Sequence, residues 1–232
     1  MQRNRKPGRI PILLSLLALV AIVVTPLALR AQATDDIRAT KHNFSASRDP
    51  AFANLGVTNY GEVCVYCHTP HGGQTQAPLW NRAFGTGPYQ PYSSPTIDMT
   101  IGMPSGVSLA CLSCHDGTIG IDVIANPPNR LNPVPSPTGR RLVDIFTTGL
   151  DTFKILGTDL RNDHPVAVTY DPSKDPMFQP QATVVAAGLR FYGAAQNEVT
   201  CATCHNPHNK VNIPFLRKDN SNSDLCITCH IK

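Results

Sequence analysis

The sequence predicts a mostly coil fold with short α-helices and few short strands. The 232-residue chain contains 21 prolines and 16 glycines, which interrupt helices and strands and favour turns. No long stretch of the chain beyond its apolar N-terminus has the apolar spacing of a clear amphipathic helix or of an alternating strand. Such a chain buries too little apolar surface to fold well alone, so we expect additional groups in its core.

A five-residue pattern, C-x-x-C-H, occurs four times and includes all eight cysteines of the chain. C-x-x-C-H is the attachment motif of c-type haem, in which two thiols bond to one porphyrin and the histidine binds its iron. The predicted attachment residues are Cys64, Cys67, Cys111, Cys114, Cys201, Cys204, Cys226 and Cys229. The predicted proximal iron ligands are His68, His115, His205 and His230. We therefore expect a multihaem cytochrome c fold organised around four covalently attached haem c groups, and a largely unfolded apoprotein.

Two other uses of cysteine explain the pattern less well. A disulfide framework suits a secreted chain, and eight cysteines allow 105 pairings. C-x-x-C pairs with nearby histidines also suit a tetrahedral zinc site. Neither alternative gives a reason for a histidine directly after every second cysteine, in four motifs out of four.

The N-terminus has the features of an export signal. Basic residues precede a mostly apolar run from Ile10 to Leu29, and the small-x-small site Ala31-Gln32-Ala33 follows. We predict that residues 1–33 are a secretory signal peptide. An uncleaved membrane anchor is the alternative, because the run is about as long as the ~18 apolar residues that a span requires. Covalent haem attachment takes place outside the cytoplasm, which agrees with export to the periplasm or the cell exterior.

Removal of the signal peptide changes the charge of the chain. Five of the 20 basic residues of the chain lie within residues 1–33, and they contribute to its formal net charge of +4. The remaining 199 residues carry 15 basic and 16 acidic side chains, a net charge of −1. The charge therefore gives no reason to expect nucleic-acid binding.

The mature chain divides into two similar parts. We predict a first dihaem half at residues 34–125, a Pro-rich linker at 126–140 and a second dihaem half at 141–232, with one continuous haem-packed domain as the alternative. Short helices are expected at the motifs, and short helices or strands within 142–160 and 182–192. Residues 85–108 are rich in Gly, Pro, Ser and Thr and are expected to form a loop.

Each half contains two histidines outside its two motifs. The first half has His42 and His71, and the second has His164 and His208. The order repeats: a histidine, a motif followed by x-Pro-His, then another motif. Four extra histidines for four irons predict a second, distal imidazole on every haem, which is a six-coordinate, bis-histidine arrangement.

Chain geometry limits which haem each distal histidine can reach. His71 lies three residues after His68, too close to pass around the macrocycle, so it is expected to bind a different haem. The same holds for His208. The simplest pairing assigns His71 to the second haem and His208 to the fourth. It then gives His42 to the first haem and His164 to the third.

Several stretches resemble a family of exported bacterial tetrahaem c-type cytochromes. The resemblance covers nearly the whole mature chain, and the stretches that carry it are residues 41–45, 64–72, 78–82, 108–117, 159–166 and 201–208. Some members polymerise into extracellular haem-stacked filaments, the cytochrome nanowires, in which a histidine of one subunit completes a haem of the next. The resemblance implies self-association into such a filament, with His42 as the candidate intersubunit ligand.

The predicted function is electron transfer, not catalysis. Haems with both axial positions filled leave no site for a substrate, so electrons pass between porphyrins. The expected partners are redox proteins or extracellular electron acceptors and, in a filament, other copies of the chain. The membrane is a partner only if the signal peptide stays uncleaved. The alternatives are a soluble periplasmic shuttle or reductase-associated subunit, and a multihaem reductase with one open iron.

Overall fold

Irregular coil forms most of the structure, which is a computed structural model that describes residues 35–45, 55–147 and 154–231. The α-helices are α1 (Gly106–His115), α2 (Leu142–Ile145), α3 (Gln181–Ala186), α4 (Cys201–Cys204) and α5 (Asp224–Cys229), with 3₁₀ turns at Ile37–Ala39 and Ser221–Ser223. The predicted signal peptide lies outside the described residues. None of the helices within the three ranges is both long and apolar enough to cross a membrane.

A single antiparallel pair of strands forms the sheet of the described residues. Strand β1 (Val168–Thr169) pairs with β2 (Glu198–Val199), with Val168 opposite Val199. Elsewhere the chain is joined by isolated bridges, such as the one between His68 and Trp80. The predicted fold class, mostly coil with short helices and few short strands, is confirmed.

The motifs differ in their local structure. The second motif ends helix α1, and α4 and α5 contain the cysteines of the third and fourth motifs. The first motif forms only a turn, in which the His68 amide donates to the Cys64 carbonyl at 2.8 Å. The expected helix at this motif is therefore one hydrogen-bonded turn, because the next residue, Thr69, already bonds to Leu79 across the chain.

Apolar side chains form several small clusters next to the motif cysteines. One cluster around Tyr60, Val65 and Tyr66 packs on Cys67. Another, built from Leu55, Val57, Ile121 and Leu142, packs on Cys114. A third includes Met99, Val168, Tyr170, Val184, Leu189 and Phe191, and it packs on Cys229. The apolar core of the described chain is thus divided among the neighbourhoods of the motifs.

Contacts join the two halves of the chain. Helix α1 of the first half packs against α4 of the second, and the Cys201 amide donates to the Ser108 hydroxyl at 3.3 Å. The Pro-rich segment 126–140 lies against the first half. There Asn126 bonds to Asn81 and Arg130 pairs with Glu62 at 2.6 Å. The contact between α1 and α4 and the bond between Cys201 and Ser108 bring the second and third motifs side by side.

Candidate haem-binding sites

Three pairs of histidine rings lie at nearly the same separation, one pair nearly parallel and two edge-on, at 83° for His42 and His115 and 72° for His164 and His230. The ring centroids of His42 and His115 are 6.2 Å apart. Those of His68 and His208 are 6.3 Å apart and nearly parallel, at 13°. Those of His164 and His230 are 6.5 Å apart. Each pair joins one motif histidine to one histidine outside the motifs.

This separation fits a metal ion held between two imidazoles. A metal bound about 2 Å from each ring nitrogen leaves the two ring centroids roughly 6 Å apart. Directly packed rings span a range that includes this value, from 4.5 Å between His42 and Phe215 to 6.2 Å between His42 and Phe44, so the identity of the two rings carries the argument together with their separation. The three histidine pairs therefore fit the two axial ligands of a haem iron.

Carbonyl oxygens determine which ring nitrogen carries the proton. The Nδ1 atom of His68 lies 2.8 Å from the Pro78 carbonyl. That of His115 lies 2.7 Å from the Lys154 carbonyl. A carbonyl only accepts, so Nδ1 must be the donor, and in a neutral ring Nε2 then keeps its lone pair. Metal-binding histidines are oriented in this way.

The same contact recurs at other predicted ligands. His205 Nδ1 lies 3.0 Å from the Pro214 carbonyl, and His164 Nδ1 lies 3.1 Å from the Pro165 carbonyl. His208 Nδ1 lies 3.2 Å from Oδ1 of Asn206. These rings too have Nε2 available for a metal.

Burial keeps the innermost rings neutral. It lowers the pKa of His42 to about 3, with His115 as the next cause. The pKa of His115 is also lowered, chiefly by burial. Neutral imidazole is the form that binds a metal, so this pair is ready to bind iron at neutral pH.

The ring pairs differ from the simplest pairing that the sequence suggests. His42 faces the histidine of the second motif instead of the first. His208 faces the first instead of the fourth, and His164 faces the fourth instead of the third. Sequence order could not give these pairs because the chain folds back between its halves, as where the Asp36 amide bonds to the His208 carbonyl.

Two predicted ligands stay without a histidine partner among the described residues. His71 and His205 make no ring contact with another histidine in the described ranges. Both residues are exposed. Among the described residues, one motif histidine and one additional histidine therefore lack a paired ring, and His205 lies close enough to His42 and His115 to contribute to the lowered pKa of each.

The motif thiols lie next to each other in chain order. Cys114 of the second motif contributes to the raised pKa of Cys67 in the first. Cys201 of the third motif is the largest cause of the raised pKa of Cys111 in the second. Cys226 of the fourth motif contributes to the raised pKa of Cys204. Each motif is therefore adjacent to the next.

The chain repeats itself in backbone structure as well as in ligand order. After the first motif, the Thr69 amide bonds to the Leu79 carbonyl at 2.9 Å. After the third motif, the Asn206 amide bonds to the Phe215 carbonyl at 2.7 Å. Leu79 and Phe215 both have left-handed backbones, with φ of 51° and 63°. The two doubled-histidine segments therefore have the same local fold.

Sequence reasoning missed the groups that support the rings. The supporting carbonyls belong to Pro78 and Pro214, which follow their motif histidines by ten and nine residues. This nearly equal spacing was a signal in the sequence. No comparable signal marked Lys154, whose carbonyl orients His115 from 39 residues away.

Comparison with known families supports the motif chemistry. Residues 194–232, which contain the third and fourth motifs, match the family described as the doubled CXXCH motif. No curated protein matches the chain. The match indicates covalently bound haem c and a c-type cytochrome in electron transfer, consistent with a multihaem protein.

Proposed function

We propose that the protein is a tetrahaem electron-transfer cytochrome in which two histidines bind each iron. The observation that carries this proposal is the set of three histidine pairs with centroid separations of 6.2, 6.3 and 6.5 Å. Haem supplies the reversible one-electron chemistry when bound. The chain's own residues fix its spacing, exclude water and orient the ring nitrogens.

The order of the motifs supports a conduit. Because each motif abuts the next, electrons would enter at one end of the series and leave at the other. Redox proteins or extracellular acceptors are the partners at the two ends. The site of action is outside the cytoplasm, in the periplasm or at the cell exterior, since haem is attached there.

We extend the proposal to self-association into a filament. In the backbone repeat, His71 corresponds to His208, and His68 corresponds to His205. His208 of the second half faces His68 of the first. If the same relation holds between two copies, His71 of one copy lies against His205 of the next. His71, and not His42, is therefore our candidate for the ligand between copies.

The surroundings of the unmatched histidines support contact between copies. Leu79, in the bridged segment after the first motif, is 54% exposed, and Ile213, next to the carbonyl that orients His205, is 81% exposed. These two exposed side chains, one in the segment after each doubled-histidine motif, give a second copy apolar surface to bury. A second copy that buries them would bring its own imidazole to the third iron.

The test is the spin state and assembly of the secreted, haem-loaded protein. We expect fibres in negative-stain images, four haems per chain, only low-spin signals and no binding of carbon monoxide. His71→Ala should stop assembly and leave one haem in four open to carbon monoxide. Gln74→Ala, an exposed change in the same segment, is the matched control and should still assemble.

The unmatched His205 also favours a second candidate, a multihaem reductase with one open iron. In that case the wild-type protein stays monomeric, and its third haem binds carbon monoxide. Assembly without an open haem excludes the reductase. A soluble monomer with four low-spin haems would instead identify a shuttle, and it would contradict the filament.

A further inference from the structure

A buried arginine lies beside the first motif. Arg82 is 1% exposed, and its two terminal nitrogens donate to the carbonyls of Gly120 and Ile121. Its Nε atom is buried and makes no hydrogen bond within the described ranges. The guanidinium is thus held between the segment after the first motif and the segment after the second.

The charge of Arg82 is not balanced by a carboxylate. No Asp or Glu of the described chain forms an ion pair with it. The nearby carboxylate of Asp122 instead accepts from Thr58, Thr138 and Gly139. A buried cation that no carboxylate neutralises is costly to fold. We therefore expect this charge to act in the haem-loaded protein.

Arg82 lies beside the first motif in the fold. The residue before it is Asn81, whose amide donates to the Cys67 carbonyl at 2.9 Å. The side chain of Asn81 is also buried and donates to the Val65 carbonyl inside the motif at 2.8 Å. The buried charge is therefore held next to the attachment point of the first haem.

The backbone repeat supplies an internal comparison. Asn81 corresponds to Arg217, whose amide donates to the Cys204 carbonyl at 2.8 Å, so Arg82 corresponds to Lys218. The side chain of Lys218 is 29% exposed, and its Nζ pairs with Asp224 at 3.0 Å. The same position is thus a buried, unbalanced cation in one half and a partly exposed, neutralised one in the other.

We propose that Arg82 raises the reduction potential of the first haem above that of the corresponding third haem. A nearby positive charge favours the state of the iron with one more electron, and the effect is strong where water is excluded. The proposal rests on the proposed tetrahaem function. It assigns the two similar halves different potentials, and hence a preferred location for an electron within the chain.

The experiment is a redox titration of the haem-loaded protein in which one step is labelled. His208→Met replaces the proposed distal ligand of the first haem, and methionine ligation raises the potential of that haem. Arg82→Gln is then added to remove the charge while keeping a donor. Lys218→Gln is the matched control, and Arg82→Lys keeps the charge.

We expect Arg82→Gln to lower the reduction potential of the labelled step by at least about 59 mV, which is a tenfold change in the equilibrium constant of a one-electron step. Lys218→Gln should change any step by less than about threefold at neutral pH. Arg82→Lys should do the same only at acid pH, where a buried lysine keeps its proton. The proposal is overturned if Arg82→Gln leaves the labelled step unchanged, or if it acts no more strongly than Lys218→Gln. If His208→Met alone moves no step, the proposed ligand pairing fails instead.

Arg82→Lys provides the test if Arg82→Gln does not fold. A buried lysine loses its proton far more readily than an arginine. The labelled step of Arg82→Lys should therefore fall as the pH rises from about 5 to about 9.5, while that of the arginine protein should change less. The titratable side chains near this position in the haem-loaded protein are Tyr60 and Asp122, and they are the same in both proteins, so equal pH profiles overturn the proposal.

Discussion

At the scale of single residues, backbone carbonyls prepare the histidines for metal. Each carbonyl beside an Nδ1 atom selects one tautomer and fixes the ring plane before any ligand binds. The carbonyls of Pro78, Lys154 and Pro214 do this for three of the four motif histidines. Their effect on binding is therefore independent of the side chains at those positions.

His42→Ala tests the ligand pairs directly. The ring of His42 faces His115 at 6.2 Å, so its removal should leave the second haem with one axial ligand. We expect one more high-spin, carbon monoxide-binding haem per chain than in the wild type, measured by electron paramagnetic resonance and visible spectra. Phe215→Leu changes a ring that packs on His42 and should not open a haem. An unchanged spin state in His42→Ala would reject this pair.

Asp122→Asn tests a buried carboxylate. Its oxygens accept from Thr58, Thr138 and Gly139, and these bonds lower its pKa even though burial alone would raise it. A lowered pKa stabilises the fold above the unfolded pKa of about 4, and this stability is lost as pH falls through the folded pKa. At neutral pH we expect a loss of about 1.5–3 kcal/mol in denaturant unfolding.

The pH dependence of the same variant checks the sign. The difference between wild type and Asp122→Asn should shrink as the pH falls below about 4, because the unfolded carboxylate takes up its proton there and the folded one does so only at lower pH. Asp144→Asn is the control, since that carboxylate pairs with Arg141 at the surface and surface pairs contribute little. A constant difference across the acid range would contradict the assignment.

Residue identity could be predicted from the sequence better than residue partnership. The motif cysteines and histidines follow from a local pattern, because haem attachment uses five consecutive residues. The approach of the His68 and His208 rings depends on contacts between the two halves of the chain. The spacing of residues along the sequence does not determine these contacts. The role of Arg82 depends on burial, and its sequence neighbours give no indication of it.

At the scale of elements, the doubled-histidine segment is the repeated unit. In each of the two repeats, the chain folds back and forms a backbone hydrogen bond to the residue after its motif. The residue that accepts this bond has a left-handed backbone. Short α-helices and turns present the motifs, and the longest described helix has ten residues. Isolated helices of fewer than ~12 residues are marginal, so tertiary contacts must maintain them. That is why composition could predict short elements but not their bounds.

Leu79→Gly tests the backbone of this unit. Leu79 has φ of 51°, and its exposed side chain adds little packing. Glycine removes a conformational cost of ~1 kcal/mol but also makes the unfolded chain more flexible, so we expect a gain of up to about 0.5 kcal/mol in denaturant unfolding.

The equivalent change in the second copy should have the opposite sign. Phe215 also has a left-handed backbone, but its ring packs on His42 at 4.5 Å. Phe215→Gly removes that packing and should lower the free energy of unfolding by about 1–3 kcal/mol. Equal effects at the two positions would show that backbone conformation alone determines them.

At the scale of the whole molecule, the apolar core is distributed. The clusters beside Cys67, Cys114 and Cys229 are small, and loops connect them. The sequence predicted this from its proline and glycine content together with the motif count. The contacts between halves could not be predicted, since they join residues more than ninety positions apart, such as Ser108 and Cys201.

Removal of haem tests this distribution. The chain produced without haem attachment should lack a cooperative unfolding transition, because its separate clusters bury too little surface. Far-UV circular dichroism during urea titration measures this, with the haem-loaded protein as the control. A sharp transition in the haem-free chain would mean that the clusters suffice.

The end-to-end adjacency of the four motifs also has a consequence for damage. A single-file series has no bypass, so one vacant attachment site at Cys111 or Cys201 would interrupt passage along the entire protein. Within a single copy, loss at an outer motif would only shorten the route, whereas in the proposed filament it would break the connection to the next copy. Tolerance to loss at the two extremities should therefore be high in an isolated carrier and low in an assembled one.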